Sequence, residues 1–330
     1  MKTHRLGNDG PEVSEIGLGC MAMSGVYGPS DEAESVATIH AALDAGINLL
    51  DTGDFYGMGH NELLIREALR TRSRDEVYLS VKFGALRGPD NRWGGNDTRP
   101  EAAWNFLAYS LQRLGTDHLD VYRPARLDPD VPIEETVGAL SEMVTAGYVR
   151  HIGLSEVGAE TLRRAAAVHP IADLQIEYSL MSRSVEESIL PTCRELGVSL
   201  TVYGVLSRGL LSGHWSPERV RDGDFRAHSP RFQGENARRN LELVAALREI
   251  AERRGATVAQ LAVAWVLAQG DDIIPVVGAR RRAQLAESLA AADLRLTAGD
   301  LAEIERAVPS DAVAGGRYAP AQLAQLDSER

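Results

Sequence analysis

Short apolar runs alternate with amphipathic stretches from one end of the chain to the other. Ile16–Leu18, Ile47–Leu50, Val77–Val81, Leu119–Tyr122, Val149–Leu154, Ala172–Ile176, Ser199–Tyr203 and Ile273–Val277 have the near-continuous Val, Ile and Leu content of strands covered on both faces. Between them, apolar residues recur at helical spacing over Asp31–Ala45, Asn61–Arg70, Ala102–Leu114, Ile133–Ala146, Glu160–Val168 and Val185–Leu196. The same spacing returns over Ala237–Arg253, Val258–Ala268 and Arg281–Ala291. Gly46 follows the first of these stretches as a C-cap would. Strands alternating with helices predict a parallel sheet covered by helices, and eight such units fit a (β/α)₈ barrel, an α/β fold, as a single domain over 1–330. A doubly wound open sheet has the same periodicity. Long loops are expected at about 83–99 and 206–236, with a C-terminal tail from about 309.

Composition narrows the function more than the fold. With 330 residues, 44% hydrophobic and 25% charged, the chain is an ordinary globular protein. No apolar run approaches the ~18 residues of a membrane span, and MKTHRLGNDG has no signal-peptide core, so a cytoplasmic location is expected. Lys and Arg total 35 against 47 Asp and Glu, for a net charge of −12. Such a surface repels phosphate backbones and anionic lipids, so neither a nucleic acid nor a membrane is expected as partner. Cys20 and Cys193 form no disulfide framework, and the eight histidines show no ligand spacing, so no metal is expected. Self-association stays open.

One motif favours the open sheet. Gly17-Leu-Gly-Cys-Met-Ala22 matches the relaxed dinucleotide fingerprint, which needs a helix to open at its glycines. Here Ser24 to Ser30 intervenes before the helix signal, and Asp51 lies well beyond the ~20 residues expected after the motif. The match is read as coincidence.

In a barrel, the residues at the C-terminal strand ends converge on one mouth. Here they are Gly19, Asp51, Lys82, Ala125, Ser155, Gln175, Tyr203 and Gly278, mostly polar although each follows an apolar run. Asp51 and Lys82 end adjacent strands, and Tyr56 follows in the loop after Asp51. That trio suits carbonyl reduction. Hydride delivery to C=O leaves an alkoxide in need of a proton, and a phenol near pKa ~10 is a weak donor at neutral pH. A neighbouring ammonium lowers the phenol pKa, and a carboxylate keeps the ammonium charged and placed.

At these residues the chain resembles the aldo-keto reductases. The motifs are Leu50-Asp-Thr-Gly-Asp-Phe-Tyr-Gly57, Ser80-Val-Lys-Phe-Gly84, Ile152-Gly-Leu-Ser-Glu156, Leu174-Gln-Ile-Glu-Tyr178 and Ile274-Pro-Val-Val-Gly278. They stand in the family's order from about Arg5 to about Ile304, nearest to the bacterial and yeast members outside the mammalian aldose-reductase group. The resemblance implies an NADPH/NADP+-dependent aldehyde or ketone reductase on a (β/α)₈ barrel, with Asp51, Tyr56 and Lys82 matching three members of a catalytic Asp-Tyr-Lys-His tetrad. It implies that Ser155 and Gln175 hold the nicotinamide carboxamide, that Glu156, where many members have Asn, belongs to the same cofactor site, and that Tyr203 stacks on the ring. It places Gly204, Leu206 and Arg208 around the pyrophosphate, and Gly19, Cys20, Met21 and Asp51 against the cofactor.

Gly278 and Arg280-Arg-Arg282 open a helix whose dipole three arginines oppose, at ~0.3–1 kcal/mol per charge. A bound anion reverses that penalty. By resemblance, Arg280 and Gln284 hold the adenosine 2′-phosphate, Glu287 lies near the adenine, and Ser288 replaces the usual Asn.

The chain departs from the family at one tetrad position. Members commonly read Tyr-Tyr-Gln-His-Arg after the fourth strand, whereas this chain reads Tyr122-Arg-Pro-Ala-Arg126, so Ala125 takes the histidine's place. His118 precedes the strand and belongs to the opposite end. Arg123, by strand parity, and His60, by mouth position, are the candidates to orient the substrate. Trp93 and Trp215, in the long loops, are candidates to line its pocket. The alternative reading is a cofactor-binding regulatory subunit with little turnover, and a pyridoxal reductase is one substrate-level version of the enzyme.

Overall fold

A computed structural model of the chain describes residues 1–26, 28–90, 92–219 and 224–330. A two-stranded hairpin, β1 (Thr3–Arg5) and β2 (Glu12–Ser14), precedes β3 (Gly17–Gly19). The chain continues through α1 (Glu32–Asp44), β4 (Leu49–Gly53), α2 (His60–Leu69), β5 (Tyr78–Phe83), the hairpin β6 (Ala85–Arg87) and β7 (Trp93–Asn96), and α3 (Pro100–Leu114). Then follow β8 (Leu119–Pro124), α4 (Ile133–Thr145), β9 (Val149–Ser155), α5 (Ala159–Val168), β10 (Ile171–Glu177), α6 (Ile189–Leu196) and β11 (Ser199–Tyr203). Two helices, α7 (Gly234–Arg253) and α8 (Val258–Leu267), precede β12 (Ile273–Gly278), α9 (Arg282–Leu289) and α10 (Ala298–Ala307).

The strands β3, β4, β5, β8, β9, β10, β11 and β12 form a closed parallel barrel, sealed where Val276, Val277 and Gly278 pair with Gly17, Leu18 and Gly19. The barrel, not the open sheet, is the fold, and the chain after Gly19 makes only a short turn of helix at Met21–Ser24, which disposes of the dinucleotide fingerprint. Local chemistry sets the element ends. Asp31 caps α1 by accepting from the Glu34 N–H at 2.7 Å, and Thr257 with Gln260 forms a capping box at the start of α8. The expected loop at 83–99 contains the β6–β7 hairpin. The loop at 206–236 is mostly short helical turns, and its residues 220–223 lie outside the described residues.

The barrel interior changes character from one end to the other. At its N-terminal end Leu49, Val121 and Ile274 pack with Ala172, and the β1–β2 hairpin lays Leu6 and Val13 over them as a plug. A bulge at Ala172 shifts the register of β10 against β9, so Asp173, Gln175 and Glu177 share one parity. The next layer is polar. Arg123 and Asp173 are both 0% exposed and joined at 2.9 Å. Arg123 also donates to Ser80 Oγ at 2.9 Å and Thr201 Oγ1 at 3.2 Å, while Thr201 donates to Asp173. Gly153 makes this layer possible, because a Cβ there would sit 2.4 Å from Asp173 Oδ1 and 2.9 Å from Arg123 Nε. Burial pushes the Asp173 carboxyl pKa up, against the pull of Arg123.

A buried ion pair is costly to break from one side because the surviving charge has no solvent. Asp173→Ala is expected to lose about 3–5 kcal/mol in urea unfolding, and the double change Arg123→Met with Asp173→Leu much less. Equal losses would show that Arg123 is not held by Asp173.

Candidate active site

The polar layer supports a second cluster one step nearer the C-terminal mouth. Asp51 pairs in register with Ser80, and Gly53 with Lys82, so both charged side chains face the interior from adjacent strands. Lys82 Nζ donates to Asp51 Oδ1 at 2.6 Å and to Gln175 Oε1 at 2.8 Å. The other oxygen of Asp51 accepts from Gln175 Nε2 at 2.8 Å and from Ser80 Oγ at 3.0 Å. Ser80 therefore relays between Arg123 below and Asp51 above. Tyr56 enters just after β4 on a tight turn in which Gly57 takes φ 57°. Its ring is buried at the mouth, with the Lys82 ammonium 5.4 Å from the ring centroid. Burial lowers the Lys82 pKa, Asp51 opposes that shift, and the Arg123 charge adds to it. The site thus presents a phenol beside a desolvated cation whose one carboxylate partner is itself fully hydrogen-bonded. Such a group is suited to releasing and retaking a proton.

The residues expected to hold a nicotinamide cofactor divide into two sets. Ser155 is buried beside Gln175 in register, and its Oγ has no hydrogen-bond partner among the described residues. An orphaned hydroxyl at this position fits the amide of a nicotinamide. Gln175 and Glu156, by contrast, are engaged elsewhere. The Gln175 amide is spent on Lys82 and Asp51. Glu156 accepts from Arg317 at 2.5 and 2.9 Å, from Tyr203 OH at 2.7 Å and from Ser328 at 2.8 Å. Burial pushes this carboxyl pKa up, but Arg317 and Arg126 prevail and hold it at about 2. In the structure Glu156 anchors the C-terminal tail and Gln175 braces the Asp51–Lys82 pair. Tyr203 closes β11 at the mouth, and its hydroxyl also lies 3.0 Å from that of Tyr318.

At the mouth's rim, Gly204, Leu206 and Arg208 begin the loop after β11, where Ser207 and Arg208 take positive φ. Arg208 donates to Glu177 at 3.2 Å and to the Arg317 carbonyl. Across the rim, Gly278 ends β12 and Arg281 is the N-cap of α9. Arg280 donates to the Pro29 carbonyl at 3.2 Å, and its own N–H is accepted by Gln284 at 3.3 Å. Arg282 is neutralised by Glu34 at 3.0 Å, so the cluster presents Arg280 and Arg281. Glu287 and Ser288 follow on the same helix. Gly19 and Met21 flank Cys20, whose N–H is taken by the Asp51 carbonyl at 2.9 Å and whose own carbonyl accepts from Asn61. Burial, then Asp51, pushes its thiol well above the usual range, so it is no nucleophile.

Two orienting candidates are corrected. Arg123 does point inward, but it lies wholly below the mouth and holds Asp173, Ser80 and Thr201, so no substrate reaches it. His60 begins α2, and both its ring nitrogens are engaged, with Ser24 at 3.0 Å and Glu32 at 3.1 Å. Ala125 is buried just past β8. His118 is at the other end, 2.7 Å from Asp117. Trp93 stands exposed, edge-on to Phe55 at 5.8 Å, and Phe55 in turn touches Tyr56. Trp215 is buried, edge-on to Phe232 at 5.0 Å.

Sequence reasoning missed Ser80, Asp173 and Thr201, although each is a polar residue two positions before a mouth residue on the same strand. It also missed Arg317 and Tyr318, which sit in a tail with no periodic signal.

The chain matches the model of the aldo/keto reductase family over residues 15–309. It is 43% identical to a probable aldo-keto reductase of soybean (Glycine max), over 95% of this chain and 91% of that one. It is 41% identical to the NADP(+) aldo-keto reductase yakc of Schizosaccharomyces pombe, over 96% and 94%. Among solved structures, a glycerol dehydrogenase of Gluconobacter oxydans superposes with a TM-score of 0.84 at 30% identity, covering 94% of this chain and 96% of its own. An aldo-keto reductase of Bacillus halodurans, in its holo form, gives 0.78 at 28% identity, covering 94% and 97%. A closed eight-stranded parallel barrel with Asp51, Tyr56 and Lys82 at its mouth thus belongs to the aldo-keto reductase family, oxidoreductases that act on carbonyl and alcohol groups.

Proposed function

We propose that the protein reduces an aldehyde or ketone to an alcohol with NADPH, reversibly, and that Tyr56 supplies the proton. The observation that carries this reading is the buried Lys82 ammonium, 2.6 Å from Asp51 and beneath the Tyr56 ring. Bound at the mouth, the nicotinamide supplies a hydride. Ser155, with its unpartnered hydroxyl, is the residue best placed to hold the ring's amide, and Tyr203 the one to lie against the ring. As negative charge develops on the substrate oxygen, the phenol of Tyr56 gives up its proton to it. Lys82 stabilises the phenolate left behind, and Asp51 holds Lys82 in place. Arg280, with Arg281 and the α9 N-terminus, is the anion site for a 2′-phosphate.

Tyr56→Phe is expected to cut turnover by about 100-fold or more, the usual size of a general-acid contribution. NADPH affinity, followed by fluorescence titration, should stay nearly intact. Lys82→Met should act in the same direction. A screen of aldehydes, ketones and quinones against NADPH absorbance tests the reading as a whole, because a cofactor-binding regulatory subunit would bind NADPH and oxidise it very slowly.

The unmodified protein should bind NADPH at least about tenfold tighter than NADH, and Arg280→Ala should narrow that gap. Equal affinities for the two cofactors would sink the 2′-phosphate assignment.

A further inference from the structure

Around the Tyr203 end of the mouth, most arginines are paired with carboxylates. Arg317 holds Glu156 and Glu329, Arg208 and Arg231 hold Glu177, and beneath them Arg123 holds Asp173. Arg126 is half-buried, and no carboxylate of the described residues lies within ion-pair distance of it. Its guanidinium donates to the Ala125 carbonyl at 2.6 Å and, weakly, to Tyr318 OH at 3.4 Å. Both partners are neutral. Burial works against this charge, and Glu156 offsets it from beyond ion-pair distance, so the fork itself still has no direct anionic partner and can take one by a charge-assisted contact.

Its place in the fold says which anion. The Ala125 N–H is accepted by the Phe83 carbonyl at 2.8 Å, which fixes residue 125 at the end of β5, one residue past Lys82. Arg126 therefore begins one residue past the position of the missing tetrad histidine. On its far side Tyr318 OH is 3.0 Å from Tyr203 OH, so the guanidinium lies between the Asp51–Lys82–Tyr56 cluster and the Tyr203 end of the mouth. Its charge is felt on both sides, helping to lower the pKa values of Lys82 and Glu156. On the proposed function, a substrate carbonyl between Tyr56 and a ring lying on Tyr203 is within reach of this charge.

We propose that Arg126 is a specificity-determining residue, and that the substrate is a carbonyl compound carrying a carboxylate which its guanidinium fork binds. One guanidinium with neutral neighbours matches one negative charge, whereas a phosphate dianion would call for further cations. The carboxylate also performs the service lost with the histidine, fixing the substrate's orientation by a charge-assisted contact near the reacting carbon instead of on its oxygen. This inference rests on the reductase reading and names its substrate class.

The test compares 4-carboxybenzaldehyde with 4-nitrobenzaldehyde, a neutral partner of similar shape, using the full chain and NADPH. The unmodified protein should prefer the carboxylate by about tenfold or more in kcat/KM. Arg126→Met should erase that preference mainly through KM, and Arg126→Lys should keep part of it. In parallel, calorimetric titration of the NADP+-loaded protein should show 4-methylbenzoate binding at least about tenfold tighter than 4-methylbenzamide, with the difference lost in Arg126→Met. A preference absent from the unmodified protein, or unchanged in Arg126→Met, would overturn the proposal. If neither aldehyde is reduced, the reductase reading fails and the titration decides alone: Arg126-dependent binding of the benzoate sustains the anion site, and its absence removes it.

Discussion

The ammonium of Lys82 lies inside the barrel, and a charge so withdrawn from water is tolerated only where an opposite charge and hydrogen-bond acceptors meet it at close range. Asp51 answers at 2.6 Å and Gln175 at 2.8 Å. Those two answers carry their own requirements. The second oxygen of Asp51 takes Gln175 and Ser80, and Ser80 takes Arg123, which in turn needs Asp173 and Thr201. The chain of requirements runs down five strands and stops only at the apolar layer closed by the N-terminal hairpin. A network of this kind exists only if the barrel is shut, since Thr201 and Gln175 come from strands far in sequence from Asp51 and Lys82. Its cost in desolvation is the counterpart of a fixed geometry at the mouth, where the Lys82 ammonium cannot drift from the Tyr56 ring.

The mouth is organised on a different principle. There the C-terminal segment folds back over β9, β10 and β11 and is held by Glu156. That residue is itself in the left-handed region at φ 58°, an unusual conformation for a residue with a side chain. Its carboxylate faces Arg317 with both oxygens bonded, and Asp327 accepts the Gly158 N–H at 2.8 Å just beyond. The tail thereby brings Tyr318 against Tyr203 and Arg126. A carboxylate at position 156 is thus a tail anchor in this chain. Its strong pairing keeps it ionised across the neutral range, and the segment it ties down forms one wall of the mouth.

How far each part was legible in the sequence follows from where its information lies. The barrel strands were readable because each is a buried parallel strand, and Ser199–Tyr203 agrees residue for residue. The β1–β2 and β6–β7 hairpins were not, because three- and four-residue strands with exposed positions leave no run of apolar residues. Asp51, Tyr56 and Lys82 were legible from their positions after apolar runs. Arg123 was legible only in part. Parity gave its inward direction, but not its partner, because pairing Arg123 with Asp173 needs the closed barrel to bring β8 and β10 together across its interior. His60 failed for a simpler reason, since proximity in sequence to Tyr56 does not fix the side of the turn on which a ring lies. Contacts between 156 and 317, far apart in the chain and both polar, leave no periodic trace at all.

A net charge of −12 and a mouth lined by arginines are reconciled by distance. At physiological salt a charge is screened over ~8 Å, so the acidic exterior acts on large polyanions that must lie along it and hardly at all on a small ligand within the mouth. Half-buried guanidinium groups act at hydrogen-bond range, where screening is slight. On the proposed reading, Arg280 at one rim and Arg126 near the reacting centre act on a small anion in spite of the acidic exterior. Loss of the histidine fits this division. A neutral ring at position 125 would supply one hydrogen bond to a carbonyl oxygen, whereas a guanidinium at 126 supplies charge at a fixed offset from it. On the proposed reading, Tyr56, Lys82 and Asp51 keep the proton transfer, and orientation passes from the reacting oxygen to a group beside it.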